Sequence, residues 1–242
     1  MTAEDQVYRR ARDYIVDFAF DESVAAVFPD MIRRSVPGYE TVIPLTGLLA
    51  ARELRTARQA PPRAYDLGCS LGATSLAILR QIGDLTCAMT AVDSSPAMIE
   101  RARSLLSDPR LTFVCADIRT LVLEPCHAVV LNYVQQFLPP EDRLALLARI
   151  RAALAPEGLL ILSEKIRFED PDTQRAHEAA HLDYKRANGY SELEISQKRT
   201  ALENVMIIDT EGQHRERLCR AGFTRVRKWY QCLNWASFEA RP

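Results

Sequence analysis

Residues 64–75 read AYDLGCSLGATS and constrain the fold more than any other stretch of this 242-residue chain. A short apolar lead-in ends on Asp66, and the chain then turns through Gly68, Cys69, Ser70, Leu71 and Gly72. The pattern changes at once to ATSLAILRQI, with apolar residues at helical spacing. Strand, glycine-bearing turn and helix, in that order, is the opening unit of a doubly wound α/β sheet. Gly68 and Gly72 allow backbone to approach a ligand where a Cβ would obstruct it, although such turns also serve only to pack a helix on a sheet.

The alternation continues down the chain. Segments 87–93 (CAMTAVD), 111–117 (LTFVCAD), 128–133 (AVVLNY) and 158–164 (GLLILSE) read as the second to fifth strands. Ser95 and Pro96 set the N-cap and first position of one intervening helix, and PPEDRLALLARIRAAL is another. Strands apolar on both faces imply a parallel sheet covered on each side. A helix in GQHRERLCRAG and a strand pair in FTRVRKWYQCLNWASFEA complete a mostly parallel, seven-stranded α/β sheet. Residues 1–60 are expected to be a helical N-terminal cap, broken at Pro37-Gly38. Residues 165–209 are expected to be a polar helical insertion within a single domain spanning 1–242.

Composition narrows the function classes. Apolar residues make up 48% of the chain, and 31 basic side chains stand against 32 acidic ones. Such a chain buries a full core and carries no global field aimed at nucleic acid. The basic stretch 215–228 therefore reads as a solvated face. The first twenty residues mix both charge signs without an apolar run, so neither a secretory signal nor a membrane span is expected. The six cysteines include no C-x-x-C pair, which points to a reduced, cytoplasmic protein.

Ligands of a doubly wound sheet sit outside the carboxyl ends of its strands. Asp66, Asp93, Asp117 and Asn132 stand at the ends of four successive strands. Each alone could be a turn or cap residue, but their recurrence points to a site. Asp93 is placed to accept both hydroxyls of a ribose, Asp117 to accept an adenine amino hydrogen, and Asn132 to face the methionine part of S-adenosylmethionine (SAM). The spacing Asp66-x-Gly68-x-Ser70-x-Gly72 is closer to the acidic-x-G-x-G-x-G turn of SAM enzymes than to the pyrophosphate fingerprint, with Ser70 at the middle glycine. NAD stays a competitor, because an aspartate after the second strand suits an unphosphorylated ribose. A further pattern, His177-Glu178-Ala179-Ala180-His181, matches the zincin arrangement of two histidines on one helix face. It lacks a third ligand in a recognisable motif, and hydrogen-bonding or solvated helix residues are the preferred reading, so no metal is expected.

The stretches FDESVAAVFPDMIRRSVPGY, YDLGCSLGATSL, SSPAMIERAR, SEKIRFED, DYKRANGYSELEISQKR and LENVM go further. From Phe20 onward the chain resembles the carboxy-S-adenosyl-L-methionine synthase family, which has the Rossmann-like class I methyltransferase fold. Residues 183–199 carry most of that likeness, since they lie in an insertion that ordinary methyltransferases build differently. The resemblance implies SAM contacts at Tyr39, Gly68, Cys69, Ser70, Asp93, Ser94, Asp117, Ile118 and Asn132. Ser94 is a mild departure, since a relative has asparagine after the matching aspartate. Arg199 matches the residue that meets the product's new carboxylate and is the expected catalytic residue; read without the family it is a surface arginine, and Tyr39 a half-buried packing tyrosine. The resemblance further implies prephenate as co-substrate and a homodimer. It also implies that the product is passed to an enzyme modifying tRNA wobble uridine, with no direct contact to nucleic acid or membrane. An ordinary methyltransferase and a non-catalytic SAM-binding partner of a tRNA-modifying enzyme are the alternatives.

Overall fold

The computed structural model describes residues 3–12, 14–58 and 61–242. Two helices come first, α1 (Glu22–Ser35) and α2 (Tyr39–Thr56). The side chain of Asp21 accepts the Val24 amide at 2.9 Å and starts the first of them. The alternating part follows as β1 (Arg63–Leu67), α3 (Ala73–Ile82), β2 (Ala88–Asp93), α4 (Pro96–Leu105), β3 (Leu111–Cys115), β4 (Cys126–Asn132), α5 (Pro140–Ala153) and β5 (Leu154–Arg167). Ser95 caps α4 and Pro96 opens it, as the sequence predicts. After α6 (Pro171–Ala187) and α7 (Glu192–Glu203) come the two-residue β6 (Asp209–Thr210), α8 (Glu211–Arg220), β7 (Arg225–Cys232) and β8 (Trp235–Arg241).

The main sheet runs β3-β2-β1-β4-β5-β8-β7, and β6 pairs beside the end of β5. Strands β1 to β5 are parallel, while β8 is antiparallel to both β5 and β7. The seven-stranded doubly wound sheet is therefore present, with the reversed pair at one edge. Alternate residues of the central strands enter opposite cores. Tyr65, Leu67, Val129 and Leu131 meet Leu146, Leu147 and Ile150 of α5. Ala64, Ala128 and Val130 meet Ala50 and Leu54 of α2 and Ile78 of α3. Full burial on both faces is why these strands read as apolar runs rather than alternating ones.

The N-terminal segment differs from expectation. Among the described residues, 3–21 contain no helix; α1 begins only at Glu22. Their backbone groups are satisfied across the fold instead. The Arg12 amide donates to Gln197 Oε1 at 2.9 Å and the Phe18 amide to the Ala201 carbonyl at 2.8 Å, both on α7, while the Asp5 amide donates to Asp30 at 2.8 Å on α1. Bonds to partners so distant in the chain compensate the lost helical ladder, and the segment becomes a strap lying over α1 and α7.

His214 on α8 gives a test of the packing. It is 2% exposed and tilted against Phe238, and both ring nitrogens lack a hydrogen-bond partner. Burial drives its pKa down to about 4. A folded-state pKa below the unfolded value means stability is full above about pH 6.5 and drains as pH falls towards 4. Over that window the residue contributes about 1.4 kcal/mol of lost stability per pH unit. In His214→Leu, urea unfolding between pH 6.5 and 4.5 is expected to show a shallower loss than the wild type; equal slopes would refute this.

Candidate functional site

The turn after β1 is built by two carboxylates. Asp66 is buried and accepts the Ser75 amide at 3.0 Å and the Ser75 hydroxyl at 2.7 Å, clamping β1 to the start of α3. Burial raises its carboxyl to about 6. It thus shapes the turn from behind, although its position in sequence resembles that of the ligand-facing strand-end residues. Asp93 at the end of β2 accepts the Ser70 amide at 2.9 Å through one oxygen and the Ser95 amide at 2.9 Å through the other. Burial pushes its pKa up against these amide bonds. Between the clamps the backbone is left-handed at Gly68 (φ +75°), Ser70 (φ +47°) and Gly72 (φ +80°). Only a chain with little side-chain bulk turns this tightly here.

The strand ends open onto one cavity of about 620 Å³, large enough for a nucleoside ligand with a second small molecule beside it. Gly68, Ser70, Asp93, Ser94, Asp117, Ile118 and Asn132, all expected from the sequence, line it together. Asp117 pairs with Arg119 at 2.7 Å, and Arg119 also reaches Asp142 at 3.0 Å. The Arg119 guanidinium holds the Asp117 carboxyl below its usual range. Asn132 donates to Thr74 Oγ1 at 3.2 Å, while its Oδ1 is buried without a partner. Tyr39 and Cys69 line a smaller adjoining cavity of about 260 Å³ that Gly68, Ser70 and Asn132 share. Burial, with the Asp66 charge behind it, raises the Tyr39 hydroxyl, and burial raises the Cys69 thiol. Arg199 is exposed and lines neither cavity.

Lys165, Lys185, Lys198 and His181, which sequence reasoning did not assign to a ligand site, converge on the same cavity. His181 Nε2 lies 2.8 Å from the Ser35 carbonyl, and burial beside three lysines drives its pKa down to about 3. His177 stacks on Phe168 at 4.3 Å, so the two histidines of the zincin-like pattern engage different neighbours. Among the described residues, no three of His, Cys, Asp and Glu converge as a metal site would require. Glu164 was also missed. It lies inside β5, three residues before the strand ends at Arg167, and accepts the amides of Val134, Gln135 and Gln136 at 2.8–3.1 Å, fixing the short turn that forms one cavity wall. In the sequence it is the polar residue that closes the apolar run GLLILSE, although the strand itself continues to Arg167.

Residues 64–158 match a family model described as a methyltransferase domain. The carboxy-S-adenosyl-L-methionine synthase of Geobacter sp. (strain M21) is 53% identical over 98% of this chain and 97% of its own. The chain belongs to the carboxy-S-adenosyl-L-methionine synthase family. A synthase of the same name from Shewanella oneidensis is 51% identical, covering 98% of both chains. Among solved structures, human N-acetylserotonin methyltransferase in complex with SAM superposes with a TM-score of 0.60 at 18% identity, over 91% of this chain and 55% of that one. An O-methyltransferase family 2 protein from Planctomyces limnophilus, in complex with apigenin, gives a TM-score of 0.63 at 15% identity, over 93% and 62%. At such identities these neighbours establish the class I methyltransferase fold alone.

Membership in the synthase family makes the chain a SAM-dependent transferase, and the residues present suit that ligand. The orphaned Asn132 Oδ1 offers an acceptor beside the turn. The space at Gly68 is closed by Val134, so a Cβ there would stand 2.9 Å from a Val134 methyl. No helix among the described residues is long and apolar enough to cross a membrane.

Proposed function

We propose that the protein converts SAM and prephenate to carboxy-SAM, phenylpyruvate and water. The observation that carries this reading is that residues 183–199, the stretch most particular to the synthase family, supply Lys185 and Lys198 to the same cavity as Asp93 and Asp117. A cationic wall in the cavity that the SAM turn lines suits a second substrate that carries negative charge.

The chemistry inverts the ordinary use of SAM. Prephenate, as a dianion, loses carbon dioxide and hydroxide and becomes the phenylpyruvate anion. The hydroxide takes a proton from the acidified S-methyl group and leaves as water. The resulting ylide carbon forms a bond to the carbon of carbon dioxide, giving the carboxymethyl sulfonium. Every step requires that bulk water stay out, and Phe18, Phe20, Phe28, Met31 and Leu202 provide an apolar roof. In this reading Asp93 accepts the ribose hydroxyls, Ser94 lies beside them, Asp117 and Ile118 hold adenine, and Asn132, Tyr39 and the turn from Gly68 to Ser70 hold the methionine part. Arg199 is proposed to meet the new carboxylate, where a guanidinium donates two parallel hydrogen bonds. From its exposed position it would do so after a shift of α7 or from a second copy in the proposed homodimer. The product would then serve an enzyme that builds the oxyacetic acid group on tRNA wobble uridine, in the cytoplasm.

Mass spectrometry with methyl-trideuterated SAM tests the reading directly. With prephenate added, a product heavier by one carbon dioxide should appear with two deuteriums kept and one lost to water. Formation of S-adenosylhomocysteine with an intact trideuteromethyl group on an acceptor would overturn it in favour of an ordinary methyltransferase.

A further inference from the structure

The cationic wall of the cavity is not uniform. Lys198 is already engaged: its ammonium donates to Ser35 Oγ at 2.9 Å and stands 3.8 Å from the Asp5 carboxylate. His181, neutral and bonded to the Ser35 carbonyl, is engaged as well. Lys165 and Lys185 are not. Among the described residues neither ammonium has an ion-pair or hydrogen-bond partner, yet both side chains are largely withdrawn from solvent and line the cavity. Burial lowers the pKa of each, that of Lys185 to about 7; the charges of Lys198, Lys165 and Arg199 add to the effect at Lys185, and that of Arg199 at Lys165. Glu178 is the one carboxylate whose charge acts on Lys165 in the opposite sense. Two like charges withdrawn from solvent, neither held in an ion pair among the described residues, are unfavourable unless an anion completes them.

A second observation points to the same ligand. Lys165 and Trp235 are direct cross-strand partners in the β5–β8 ladder, so their side chains share a face. Trp235 is 6% exposed, lines the cavity, and its indole Nε1–H is buried without an acceptor. Lys185 lies one helical turn beyond His181 on α6, and His181 packs edge-on against Trp235 at 5.8 Å. The wall therefore offers two unpaired ammonium groups and an unused indole donor, and no unpaired acceptor among these three.

We infer that Lys165, Lys185 and the Trp235 indole form the subsite that holds the carboxylates of the second substrate, a small organic dicarboxylate. This rests on the proposed carboxy-SAM synthesis for the identity of that substrate, but not for the existence of the anion site. The two ammonium groups hold both carboxylates of the dianion, orienting the one that is to depart as carbon dioxide towards the SAM turn. The other anion in the cavity is SAM's own methionine carboxylate, and binding measurements separate the two.

The test uses the full chain and Lys165→Gln, Lys185→Gln, the double variant and Lys185→Arg. SAM affinity is measured by calorimetry without second substrate, malonate binding by tryptophan fluorescence, and prephenate KM by product mass. Loss of one charge-assisted contact is expected to raise the prephenate KM roughly tenfold, and loss of both roughly a hundredfold. SAM affinity should stay within about twofold, Lys185→Arg should recover most of the KM, and Tm should hold or rise because a repelling buried charge is gone. A fall in SAM affinity that matches the change in KM would assign the lysines to the methionine carboxylate and overturn the inference, as would an unchanged KM in the double variant. If the wild type makes no carboxy-SAM from prephenate, lysine-dependent malonate binding would uphold the anion site while the proposed reaction falls; malonate binding indifferent to both lysines would remove the site.

Discussion

Replacing Arg143 with methionine is expected to lower the unfolding free energy by about 3–5 kcal/mol, the cost of leaving a buried ionic partner uncompensated. Arg143 on α5 is fully buried. Its guanidinium donates to Asp209 at 2.6 Å, to the Leu138 carbonyl at 3.0 and 2.8 Å, and to the Ile207 carbonyl at 2.9 Å. It therefore ties three separated segments: the helix itself, the turn that walls the cavity at Leu138, and the chain returning from α7 to β6. Arg217 also lies 2.8 Å from the Asp209 carboxylate, but without hydrogen-bond geometry. It can share the charge and cannot replace the fork, and the two carbonyls lose their donor outright.

Function is expected to fall with stability in this variant. Leu138, Val205 and Met206 line the cavity beside the anchored carbonyls, so loosening them admits water to the site. Urea unfolding monitored by circular dichroism measures the first effect and SAM calorimetry the second. Converting the pair together, Arg143→Met with Asp209→Leu, should recover a substantial part of the lost stability, because the stranded carboxylate is gone. A single variant costing less than about 1 kcal/mol would mean that Arg217 and solvent satisfy Asp209 unaided.

The contrast between this cluster and the SAM turn explains what the sequence could disclose. The central strands β1 and β4 were legible because burial on both faces writes itself as an apolar run, and Asp93 and Asn132 because each ends a strand; β3, at the sheet edge and only partly buried, was legible from its β-branched and aromatic residues, with Asp117 two residues past its end. Arg143 was hidden in PEDRLALLARIRAA, where an arginine at helical spacing reads as solvent-facing. The lysine wall was hidden for a related reason. Lys165, Lys185 and Lys198 lie on β5, α6 and α7, and only the tertiary fold brings them together. Lys198 and Arg199 are neighbours in the run QKR, yet about a hundred degrees of helical rotation buries the first and exposes the second. Family resemblance picked the outward member of that pair, and local spacing gave no means of choosing. The strap at 3–21 is not legible as such because the partners of its Arg12 and Phe18 amides lie on α7, nearly two hundred residues away in the chain.

Gly68→Ala should abolish measurable SAM binding at micromolar concentrations while leaving a folded, less stable protein. Two costs meet at this position. The backbone φ of +75° lies in the left-handed region, where an alanine is less favourable than glycine by roughly 1–2 kcal/mol. The new Cβ would also press on Val134, whose Cβ would stand 3.2 Å away and whose methyls would stand closer. Val134 cannot swing aside freely, since it is β-branched and its amide is held by Glu164 at 3.1 Å. The relief must then come from the turn, which moves the Ser70 amide off Asp93 and spoils the surface that faces the ligand. Pairing Gly68→Ala with Val134→Ala separates the two costs. The double variant removes the contacts with the two methyls but keeps the strained φ and the close Cβ of residue 134, so stability should recover in part and SAM affinity should return only to within roughly tenfold of wild type. Full recovery would show that steric contact with Val134 alone made glycine necessary, and no recovery would place the whole requirement in the backbone angle.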